Sequence, residues 1–80
     1  MAKTKTITVK MIDNGKDSTN VEVVNTMLEN DYVFLSIDNS MEFKILTFTT
    51  KKRIPAGELN SLQRKLRTSI EDKSIEVAIE

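Results

Sequence analysis

Apolar and polar residues alternate along 6–12 (TITVKMI), which places Ile7, Val9 and Met11 on one side of an extended segment. Thr, Val and Ile also suit a pleated surface, so this is the first expected strand. The same two-residue period runs through 32–38 (YVFLSID) and 41–50 (MEFKILTFTT). The short DNS between them marks an antiparallel hairpin. It returns at 74–80 (SIEVAIE), where Ile75, Val77 and Ile79 alternate with polar neighbours. In between, the period changes. Leu59, Leu62, Leu66 and Ile70 recur at helical spacing and predict a helix over roughly 55–70 with a narrow apolar stripe. Pro55 suits its first position, where a missing N–H costs nothing, and Ile54 before it is expected to be extended. Glu58 near the start and Arg64, Lys65 and Arg67 near the end suit the helix dipole.

Two segments punctuate the first half. DNGKDSTN (13–20) is a turn cluster with Asn14-Gly15 as its tight point. VEVVNTMLEN (21–30) reads two ways. Its Val-rich start suits a strand over 21–26, because β-branched side chains crowd a helix. Thr19 with Glu22 three residues on forms a capping-box pattern, and Val21, Val24 and Leu28 then share a helix face. The strand reading gives an α+β, two-layer sandwich: a mainly antiparallel sheet of about five strands, ordered ββββαβ, with one C-terminal-half helix packed on one face. The helical reading gives βαββαβ, the split βαβ of ferredoxin-like domains. Either way residues 1–80 form a single domain.

Each strand carries an apolar odd-numbered side: Ile7, Val9 and Met11; Val33, Leu35 and Ile37; Met41, Phe43 and Ile45; Ile75, Val77 and Ile79. The Leu stripe of the helix is expected to cover this side. One helix covers one face, so the opposite face, with Tyr32, Phe34, Leu46 and Phe48, is expected to stay open. An open apolar patch marks an interaction surface, and self-association as a dimer is the expectation it raises.

Composition narrows the chemistry. The chain has no Cys and no His, so disulfides, thiolate sites, the commonest zinc ligand and the commonest general base are all excluded. No catalytic constellation, Walker-type loop or complete calcium loop is present, and a non-catalytic protein without cofactor or metal is expected. No stretch approaches the ~18 apolar residues of a membrane span, so a cytoplasmic protein without membrane contact is expected. The abundance of Lys, Asn and Ile suits an AT-rich genome, and with the small size points to a phage or mobile-element accessory or inhibitor protein.

The net charge is zero, but it is unevenly spread. Seven acids stand against Lys16 alone over 11–42, and seven bases against Glu58 alone over 43–67. The two regions either pair with each other in the fold or leave charge free for a partner. Lys51, Lys52, Arg53, Arg64, Lys65 and Arg67 form an elongated basic ridge, since the helix advances about 1.5 Å per residue. Such a ridge suits a protein with an acidic surface or, as the alternative, the phosphate backbone of a nucleic acid. The expected function is a small regulatory binding protein acting through protein–protein contact.

Overall fold

Strand β1 (Lys5–Ile12) buries Ile7, Val9 and Met11, as its alternation requires. In this computed structural model, which describes residues 4–12, 17–39 and 42–80, it is followed by α1 (Asp17–Glu29), β2 (Val33–Asn39), β3 (Phe43–Thr50), α2 (Glu58–Ile70) and β4 (Glu76–Ile79). The sheet order is β2-β3-β1-β4, and every neighbouring pair is antiparallel. The chain is therefore a four-stranded antiparallel sheet with two helices, in the order βαββαβ of the split βαβ motif. The ββββαβ order with about five strands is corrected. The Asn14-Gly15 turn and Met41 lie outside the described residues.

The correction comes from 21–26, which is helical. Val23 and Met27 of α1 are fully buried, with Thr19 and Thr26 beside them. The buried stripe is not the expected Val21, Val24 and Leu28, since Val21 and Leu28 are exposed. The helix ends in a Schellman arrangement. The Tyr32 amide donates to the Met27 carbonyl at 3.0 Å, the Asp31 amide to Leu28 at 3.1 Å, and Asp31 takes the left-handed φ of 69°. Met27 and Tyr32 are both in the core, so this turn carries its own apolar contact. Tertiary packing of that kind outweighs the weak strand preference of three valines.

Helix α2 buries Leu62 and Leu66, with Leu59 and Ile70 packed at the margin, as the spacing predicted. It starts three residues later than expected. Pro55 stands in the preceding turn, where its carbonyl accepts from the Glu58 amide at 3.1 Å, and Gly57 holds the left-handed φ of 84° at the N-cap.

Both helices contribute to one core on one sheet face, with Ile7, Val9, Met11, Leu46, Phe48 and Val77 below them. Ile7 stands opposite Phe48 and Val9 opposite Leu46, so the even positions of β3 face inward. Phe43 and Ile45, expected inside, are on the other side. In β2 the register slips between Phe34 and Ser36, a bulge that leaves Leu35 as the extra residue and reverses which positions face the helices. Among the described residues no helix is long and apolar enough to cross a membrane.

Candidate functional site

Tyr32 follows the α1 turn and is completely buried. Its hydroxyl donates to the Glu58 carboxylate at the start of α2. Lys52 completes the group: its Nζ lies 2.9 Å from Glu58 Oε2 and 4.8 Å from the centre of the Tyr32 ring. The backbone of the same corner is also held. The Lys5 ammonium donates to the Lys52 carbonyl at 3.0 Å, and the Lys52 amide donates to Thr50 Oγ1 at 3.2 Å. Burial and the adjacent carboxylate push the Tyr32 hydroxyl well above its ordinary value. The hydrogen bonds from Tyr32 and Lys52 hold Glu58 below the usual carboxylate range. Both groups are thus fixed in their ordinary neutral-pH states, which is the reverse of what proton transfer needs. The trio ties the entry of α2 to the exit of α1.

The four residues expected to form an open face are therefore relocated. Tyr32, Leu46 and Phe48 are fully buried, and Phe34 packs against the same core with its ring 5.6 Å from that of Phe48, edge to face. The physical reason is register: Phe48 stands opposite Ile7 and Leu46 opposite Val9, so the even side of β3 joins the single face that both helices cover. The face that is open carries mostly Thr and charged residues. Thr6, Thr8, Thr47 and Thr49 occupy its centre, and Lys10 lies 4.3 Å above the Phe43 ring.

The basic ridge is divided. Lys52 is engaged with Glu58, from its own half of the chain and not from the acids at 29–42. Arg67 is half-buried and donates from Nε to the Ile75 carbonyl at 2.8 Å. Lys51, Arg53, Arg64 and Lys65 are exposed, and among the described residues no carboxylate pairs with them. Lys73, beyond α2, joins them on the surface.

A feature the sequence reading missed is the difference between the two sheet edges. On the β4 edge, side chains of α2 occupy the backbone: Gln63 Oε1 accepts from the Val77 amide at 3.0 Å, and Arg67 takes the Ile75 carbonyl. On the β2 edge no described group bonds to the backbone on the side away from β3. Val33 and Leu35 are each 59% exposed along it and Ile37 38%. All three had been assigned to the covered side; Val33, opposite Thr49, lies on the open side, whereas Ile37, opposite the buried Leu46, keeps the helix side and is exposed only at its margin. Only the sheet order reveals that their strand lies outermost. Among the described residues no group of three acidic side chains converges as a cation site.

Compared with known proteins, the chain matches no protein-family model, no curated protein and no solved structure.

Proposed function

We propose that this chain is a small non-catalytic regulatory protein that docks on another protein through the outer edge of β2. The observation that supports this is the contrast between the edges. A free edge presents a row of unpaired N–H and C=O groups, and proteins normally block it. Here Gln63 and Arg67 take the Val77 amide and the Ile75 carbonyl at the β4 edge, while β2 combines a free backbone with exposed Val33, Leu35 and Ile37. Strand addition uses this combination: backbone bonds supply affinity and alternate side chains supply choice. The lack of His and Cys supports binding over catalysis. The size and composition suit a cytoplasmic phage or mobile-element protein that blocks or redirects a host protein.

Self-association, expected from the sequence, loses the four residues that carried it, since three are core and Phe34 packs onto them. A nucleic-acid reading keeps one supporting observation, the exposed and unpaired Lys51, Arg53, Arg64 and Lys65. Against it, no aromatic residue lies on α2 for bases to stack on, and the chain is neutral overall.

Capture from the source cells with three tagged forms separates these readings: the native chain, a Val33→Lys/Leu35→Lys chain, and a Lys51→Glu/Arg64→Glu/Lys65→Glu chain. Edge docking predicts loss of the partner only in the first variant. Loss only in the charge-reversed chain, with salt-sensitive oligonucleotide retention by the native one, moves the reading to nucleic acid. Retention in both variants refutes edge docking.

A further inference from the structure

We infer that the β2 edge takes an extended segment of a partner protein whose apolar centre is flanked by Lys or Arg at both ends. The inference rests on the edge-docking reading and adds the chemistry of the occupant. The seven residues of β2 span about 23 Å at ~3.3 Å per residue. Val33, Leu35 and Ile37 lie exposed along that length. Acids stand at each end: Glu29 and Asp31 before the strand, Asp38 at its close and Glu42 at the entry to β3. All four are exposed, and among the described residues none forms an ion pair.

The cations nearest in the chain offset these acids only in part. Lys44, opposite Asn39, is buried, and its Nζ donates to Asn20 Oδ1 at 3.1 Å. Lys51 is exposed and follows Thr50, whose Oγ1 donates to the Asp31 carbonyl at 3.0 Å, so it stands at one end only.

The charge arrangement selects between occupants. Two copies pairing antiparallel through β2 bring Glu29 and Asp31 of one against Asp38 and Glu42 of the other. Like charges so placed oppose the pairing. An anionic segment meets the same repulsion at both ends. A segment with cations at its ends meets complementary charge at both, which favours its encounter and its register. The acids thus protect the edge from its own copies while leaving it open to one class of partner.

The test uses the full chain, isotope-labelled for NMR, and two short synthetic peptides. One has lysines at both ends of an alternating Val-Thr centre, and the other has glutamates in their place. The lysine peptide is expected to shift the amide signals of 33–39 and to bind about tenfold or more tightly than the glutamate peptide at low salt. That ratio should shrink as salt is added. An Asp38→Asn/Glu42→Gln chain should narrow the ratio without altering the fold. Equal binding of both peptides at 33–39 overturns the cationic choice and leaves edge docking standing. Shifts confined to other residues, or none with either peptide, overturn the inference. A dimer formed through β2 without peptide assigns the edge to a second copy and also overturns it. Edge docking itself fails on a different result, retention of the cellular partner by the Val33→Lys/Leu35→Lys chain.

Discussion

Gln63 of α2 accepts a hydrogen bond from the Val77 amide of β4 at 3.0 Å, closing one edge of the sheet with a side chain. Val77 is buried, so its amide has little access to water once Gln63 is removed. Gln63→Leu is expected to destabilise the fold by about 1–2 kcal/mol, read from the urea midpoint. It should also free the Val77 amide at the β4 edge, so light scattering should show stronger concentration-dependent association than for the native chain. An unchanged midpoint and a monomeric variant count against this role.

Phe48 and Leu35 are both large apolar residues on neighbouring strands, and they should respond in opposite ways. Phe48 is fully buried, stands opposite Ile7 and Phe34, and belongs to the core. Phe48→Ala is expected to cost about 3–5 kcal/mol, a large share of the stability of so small a domain. Leu35 is 59% exposed at the bulge, and Leu35→Lys should change stability by no more than ~0.5 kcal/mol. Thermal or urea unfolding of the two variants checks this. Similar losses from both would contradict the placement of the sheet face.

The Tyr32–Glu58–Lys52 group sets two pH limits. Glu58, with its side chain 21% exposed, has a folded value lowered first by the Tyr32 hydrogen bond and then by Lys52. Its stabilising contribution is therefore complete above the ordinary value of 4.5 and is lost as pH falls through the lower folded value. Tyr32 is shifted the other way, by burial and then by Glu58. Its contribution is complete below the ordinary value of 10.0 and declines as pH rises beyond it. Urea midpoints across pH should thus fall at both extremes. Tyr32→Phe should remove the alkaline decline and weaken the acid one, while Glu58→Gln should flatten the acid limb. An acid limb unchanged in both variants would contradict the assignment.

Periodicity alone determined a good part of this protein. The stripe of Leu59, Leu62, Leu66 and Ile70 located α2, and the alternations located the four strands, because each pattern follows one period. The absence of His and Cys narrowed the chemistry before any fold was known. Three matters were decided by tertiary structure. Residues 21–30 carry apolar side chains around much of a helix, so only packing into the shared core could select Val23 and Met27. Both sides of β3 are apolar, so only its register with Ile7 and Val9 could send Leu46 and Phe48 inward and Phe43 and Ile45 outward. The candidate docking edge follows from strand order. Val33, Leu35 and Ile37 read as core residues until β2 is known to lie outermost, and Arg67 reads as part of a basic ridge until it reaches the Ile75 carbonyl beside β4. Neighbour identity across a sheet is set by contacts far apart in the chain, and local sequence spacing does not encode it.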